Sequence, residues 1–227
     1  MIKIRCSSLG KIMTDPKLKT DKEAGNLSET AKTYMEELFL LKNYGYREIV
    51  QTDEMKKGNL CEVDSMILVQ KVLKGDLRTR YKKNIENDYI TGTPDIVLSD
   101  CVEDIKTSWN LRTFFNAESS KDYIAQGQGY MELTGKRKFR LIYCLVPTPP
   151  EIMFSLEKKL FYQYDNHDNN KDFQDALQQL HKNNDLILDI PIEKRIKVFP
   201  LEYDGEYIKD AYRRIVKARE YYSTLTL

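Results

Sequence analysis

The stretch Gly92-Thr-Pro-Asp-Ile-Val-Leu-Ser-Asp-Cys-Val-Glu-Asp-Ile-Lys-Thr-Ser108 reads as two short strands folded on each other. Residues 96–98 are apolar and mostly β-branched, and Val102 to Thr107 is a second strand candidate. Ser99, Asp100 and Cys101 supply the turn. Side chains alternate faces along a strand. Asp104 and Lys106 therefore share one face, and Glu103, Ile105 and Thr107 take the other. Asp95 opens the first strand just after Pro94. In such a hairpin Asp95, Asp104 and Lys106 converge at one edge.

Two carboxylates in a half-buried site repel each other unless a cation lies between them. Hard divalent ions take oxygen ligands of this kind and keep positions for phosphate and water. A metal so held polarises a phosphodiester, and a nearby lysine orients a water or offsets developing charge. The same residues also fit an ordinary edge hairpin with solvated charges.

Two further segments give the hairpin a family context. Gly92-Thr-Pro-Asp95 followed by Asp104-Ile-Lys106 resembles the PD-(D/E)xK nuclease signature. Downstream, Gln126 and Tyr130 in QGQGY resemble the QxxxY motif of its RecB-type branch. Upstream, Gly58 and Glu62 in GNLCE resemble the GxxxE helix motif of lambda-exonuclease and YqaJ-like phage recombination nucleases. The pieces occur in the family's order. Asp104 is a departure, since these relatives more often carry Glu there. Glu103 is adjacent, but alternation puts it on the wrong face.

The resemblance implies an α/β, restriction-endonuclease-like fold, with a mixed central sheet flanked by helices, as a single nuclease domain over residues 1–227. It implies Glu62, Asp95, Asp104 and Lys106 as catalytic residues. Asp95, Asp104, Glu62 and Ile105 would stand at Mg²⁺, with Mn²⁺ as the alternative, and Gln126 and Tyr130 would contact substrate. Lambda-exonuclease relatives use Arg and Ser near the N-terminal end for a 5′-phosphate, which nominates Arg5, Ser7 and Ser8. The implied activity is 5′-to-3′ digestion of linear duplex DNA in phage or prophage recombination. A ring-shaped homo-oligomer and a single-strand annealing protein are partners by the same analogy. Two alternatives stay open: a Cas4-like or restriction-type endonuclease, and a catalytically inactive DNA-binding module.

Composition adds limits. The chain has 227 residues, 41% hydrophobic and 31% charged, with a net charge of +1, so any DNA-binding charge must be segregated locally. Its four cysteines are scattered without a CxxC pair, which suggests neither zinc, nor a disulfide framework, nor the clustered iron–sulfur set of Cas4-like nucleases. Free thiols and no signal peptide predict a cytoplasmic protein, and no apolar run is long enough for a membrane span. His167 and His181, the only histidines, lie outside the acidic stretch and give little support to an HNH-type or zinc mechanism.

Around the hairpin, periodicity predicts helices over 28–43, 55–74, 119–134, 151–164, 171–182 and 207–221. Residues 15–26 and 165–170 read as polar loops, and 7–9 as the cap of a short helix. Strands are expected over 78–81, 88–91, 139–146 and 195–203, the third burying Leu141, Tyr143 and Leu145 on one side. Trp109 and Phe114–Phe115 are expected to close the core, with lining of the nucleic-acid path as the alternative. The densest basic cluster, Lys136, Arg137, Lys138 and Arg140, is a candidate DNA-backbone contact, as commonly only solvated.

Overall fold

The computed structural model describes residues 1–165, 167 and 170–227, so the 165–170 loop lies partly outside the described residues. Residues 96–202 carry a four-stranded sheet in the order β4 (Ile96–Val97), β5 (Val102–Thr107), β6 (Lys138–Cys144), β7 (Ile196–Glu202). β4 and β5 form the expected antiparallel hairpin, with Ile96 opposite Glu103 and Val97 opposite Val102. The Leu98 amide donates to the Cys101 carbonyl at 2.8 Å and closes the turn. β5 and β6 are parallel, which demands a crossover. α6 (Leu111–Phe115) and α7 (Lys121–Thr134) supply it. β7 then returns antiparallel to β6. A smaller sheet joins β1 (Ile4–Arg5), β3 (Ile90–Gly92) and β2 (Ile85–Glu86), in that order. The architecture is the mixed α/β arrangement expected.

Helices cover both faces of the larger sheet. On one face, Ala125, Tyr130 and Met131 of α7 pack with Val102, Phe139 and Leu141. Gly127 permits this approach, because a Cβ there would stand 2.6 Å from the Phe139 ring. On the other face, Leu68 and Val69 pack with Ile142 and Cys144. Leu141 and the half-buried Tyr143 do turn to the α7 side, but Ile142 and Cys144 behind them are fully buried as well, because β6 is an interior strand.

Several local expectations change. The helix expected over 55–74 is two helices, α4 (Asp53–Leu60) and α5 (Glu62–Leu73), broken at Cys61, whose φ of −96° and ψ of 10° are not helical. The neighbouring Gly58 and Asn59 are weak helix formers, and Glu62 starts the second helix. Residues 78–81 are not a strand: Arg78 turns inward to an ion pair instead. A short helix, α2 (Lys19–Glu23), stands within the segment expected to be loop. α1 (Leu9–Met13) is preceded by a 3-10 turn, Cys6–Ser8, and Ser8 makes no side-chain cap. α3 (Glu29–Tyr44) behaves as expected, capped by the Ser28 hydroxyl and ended by Gly45 at φ 67°. α8 (Pro150–Gln163), α9 (Lys171–Asp189) and α10 (Gly205–Thr224) complete the chain, α9 running past its expected end. Phe114 is buried, whereas Phe115 is exposed.

Candidate active site

Asp95, Asp104 and Lys106 come together at the open end of the hairpin. Asp95 precedes β4, and its Oδ2 accepts from the Ile105 amide at 3.0 Å. That bond ties the first acid to the backbone between the second acid and the lysine. Asp104 is buried on the α7 face, where Gln126 Nε2 donates to its Oδ1 at 3.1 Å. The same Gln126 nitrogen donates to the Tyr130 hydroxyl at 3.1 Å, and that hydroxyl donates to the Thr93 carbonyl at 3.2 Å. Gln126 and Tyr130 are one helical turn apart, so a single face of α7 serves both. Gly92 lets the Tyr130 ring in, since a Cβ there would lie 2.8 Å from it.

Lys106 Nζ lies 2.6 Å from Asp104 Oδ2. Lys106 also sits over the Tyr123 ring at 5.2 Å. Burial pushes the Asp104 carboxyl up to about 7; Lys106 opposes this shift and Asp95 adds to it. Burial works against the Lys106 charge, but Asp104 and Asp95 more than offset it and hold the ammonium above its usual range. Burial likewise raises Tyr130. The site is thus rich in negative charge that a single lysine does not balance. Asp104 Oδ2, with lone pairs to spare and Asp95 nearby, fits a hard divalent cation.

Glu62 does not join this pair. α5 lies across the opposite face of β5, where Ser65 and Thr107 hydroxyls meet at 2.8 Å. Glu62, its first residue, accepts from Arg80 Nη1 at 2.8 Å. Among the described residues no group of three or more His, Cys, Asp or Glu side chains converges. Arg5, Ser7 and Ser8 stand beside β3: β1 runs parallel to it, and Cys6 Sγ would be 3.1 Å from a Cβ on Gly92. Arg5 and Ser7 are exposed there, and Ser8 is half-buried.

The opposite face of β5 holds a second buried acid. Glu103 takes two bonds from Arg78, at 2.7 and 3.1 Å, and an ion pair with Arg140 at 2.9 Å. Residue spacing gives no sign that Arg78 and Arg140 belong to it, since each is remote in sequence. The Thr93 carbonyl and Tyr123 were also not anticipated. For Tyr123 the signal was present, three residues before Gln126 on the same helix.

No protein-family model and no curated protein matches the sequence. Among solved structures, an alkaline exonuclease from Laribacter hongkongensis superposes with a TM-score of 0.63 at 15% identity, covering 97% of this chain and 88% of its own. The same enzyme in complex with dAMP gives 0.62 at 16%. Those identities speak for the fold. A phage-related exonuclease from Haemophilus somnus superposes with a TM-score of 0.77 at 30% identity, covering 97% of this chain and 93% of its own. With that identity sustained over nearly the whole of both chains, this chain belongs to the family of phage-related exonucleases.

Proposed function

We propose that the chain is a divalent-metal-dependent exonuclease that degrades linear duplex DNA 5′ to 3′ in phage or prophage recombination, working at the Asp95–Asp104–Lys106 edge. The observation that carries the chemistry is Asp104: a buried carboxylate beside a second carboxylate, with Lys106 as the one cation against it among the described residues. Asp95 and Asp104, with the Ile105 carbonyl, would hold Mg²⁺ or Mn²⁺. The bound ion would supply a Lewis acid at the scissile phosphate and an acidified water. Gln126 fixes the rotation of Asp104 and is itself fixed by Tyr130. Lys106 is an ammonium and has no lone pair. Its part is to hold positive charge beside the phosphate as negative charge grows there. Glu62 would approach the ion only after parting from Arg80. Arg5 and Ser7, exposed beside Gly92, would meet the terminal phosphate, with Ser8 behind them.

The reading is tested by incubating the protein with linear and circular duplex DNA, in Mg²⁺ or in EDTA. Loss of linear DNA alone, and only with metal, is the expected result. Cutting of circles would make the protein an endonuclease, and no cutting under any divalent metal would leave a binding module. A preference for 5′-phosphorylated over 5′-hydroxyl ends, erased by Arg5→Ala, is the matching test of end recognition.

A further inference from the structure

The segment between α5 and β2 contains a basic run, Arg78-Thr-Arg-Tyr-Lys-Lys83, whose residues divide sharply by surroundings. Three of its points are pinned. Arg78 is buried on Glu103. The Tyr81 amide donates to the carbonyl of Asp95 itself at 2.8 Å. Asn84, next in the chain, donates to the Thr91 hydroxyl at 3.0 Å and accepts from Thr93 at 3.5 Å. Between these anchors, Arg80, Lys82 and Lys83 are exposed. Lys82 and Lys83 pair with no carboxylate among the described residues, and Arg80 pairs only with the half-exposed Glu62.

The other basic cluster behaves differently. Lys136 donates to the Ser99 carbonyl at 2.7 Å, Arg137 lies over the Tyr203 ring at 4.2 Å, and Arg140 is committed to Glu103. Of that cluster, only Lys138 is exposed without such a partner among the described residues. Of these two clusters, the arm fastened to the Asp95 backbone is the one that keeps most of its positive charge for an outside anion.

We propose that residues 80–83 form a basic arm that grips the phosphate backbone of DNA lying across the Asp95–Asp104 edge. Arg80 exchanges Glu62 for a phosphate as the DNA arrives. The proposal rests on the nuclease reading above and adds where the backbone is held. Phosphate contacts of this kind position a duplex without reading its sequence. They also leave a signature, because each neutralised phosphate adds about 0.9 to the steepness of log affinity against log salt.

The experiment is a fluorescence-anisotropy titration of a labelled linear duplex over a series of NaCl concentrations, with fixed Ca²⁺ in place of Mg²⁺. Lys82→Ala/Lys83→Ala should flatten the salt slope by about 1.8 and weaken binding by roughly ten-fold. Arg80→Ala should flatten it by about 0.9. Lys136→Ala/Lys138→Ala, as the control, should leave it unchanged. Arg80, Lys82, Lys83 and Lys138 are exposed and Lys136 is half-buried; their loss is not expected to unfold the protein, which circular dichroism checks. An unchanged slope in the Lys82/Lys83 variant overturns the arm. An unchanged slope in Arg80→Ala overturns the exchange, with Arg80 remaining on Glu62. If the unaltered protein binds no DNA, the nuclease reading falls and the arm with it; if it binds and only the control variant loses slope, the arm alone is overturned.

Discussion

Glu103 and Asp104 are consecutive on one strand and equally hidden, at 0% and 1% exposure, yet they face opposite electrostatic surroundings. Glu103 is saturated: Arg78 grips both its oxygens, and Arg140 adds a second cation. Asp104 is under-neutralised: it has one lysine, one neutral amide and a neighbouring carboxylate. A buried charge must be paired or it destabilises the fold. The first acid satisfies that rule within the protein. The second leaves part of the requirement to something outside it. A carboxylate that the fold alone does not stabilise is a candidate for function, and here the two cases sit side by side.

The sharpest way to break the comparison is to neutralise each acid in turn. Asp104→Asn should lower hydrolysis by about 10³-fold or more, with the circular dichroism spectrum unchanged. Asp95→Asn should do the same. In EDTA the Asp104 variant should also be the more stable protein above neutral pH. The folded-state carboxyl is raised to about 7 from an ordinary 3.8. The parent's stability from this group is therefore complete below pH 4 and declines as pH rises through 7. Asn does not titrate, so the gap in melting temperature should open between pH 4 and 7. A constant gap would mean that Asp104 is already compensated. Full activity in Asp104→Asn together with a dead but folded Glu103→Gln would reverse the roles assigned to the two faces.

Glu103→Gln should act through stability instead. It leaves Arg78 and Arg140 without their shared partner, one of them fully buried, at a cost of about 3–5 kcal/mol. Chemical denaturation measures this. A loss below about 1 kcal/mol, the range of exposed pairs, would show that the arginines find other partners.

The division between these faces was legible because a strand alternates with period two, and Val102 to Thr107 keeps that period without a bulge. The convergence of Asp95 with Asp104 followed from the three-residue turn. Less was legible where tertiary contacts overrode local pattern. The break at Cys61 has no proline or glycine of its own, and the break separates Glu62 from the helix ahead of it. Arg78 to Tyr81 looks like a strand by composition, but a buried partner on β5 captures Arg78. The 136–140 cluster is dense in sequence yet mostly consumed by local partners, information that density does not contain.

Lys106 offers a smaller test. Lys106→Ala should lower kcat by roughly 10²-fold, with DNA affinity in Ca²⁺ little changed. Turnover near the parent's would leave the lysine as a charge partner only. Because its ammonium is, among the described residues, the one cation touching Asp104, the variant should also show altered Mg²⁺ binding by calorimetry.

Gln126 is expected to give the smallest effect, and it separates orientation from charge. Its amide nitrogen touches Asp104 Oδ1 and the Tyr130 hydroxyl, and no atom of it is ionic. Removing a neutral group that orients a ligating carboxylate costs about 10–100-fold in affinity or rate, and the lower end is expected here because Lys106 still contacts the other oxygen. Gln126→Leu keeps the side chain's bulk in a buried position, so the fold should survive. The loss should appear as weaker Mg²⁺ activation, recovered in part at high Mg²⁺, since a freely rotating Asp104 still carries its charge. Tyr130→Phe should show the same pattern in weaker form, because it removes only the hydroxyl through which Gln126 is tied to the Thr93 carbonyl and leaves the bond from Gln126 to Asp104 in place. If Gln126→Leu instead lowers kcat at saturating Mg²⁺ and leaves the metal requirement unmoved, Gln126 contacts the substrate rather than positioning the acid.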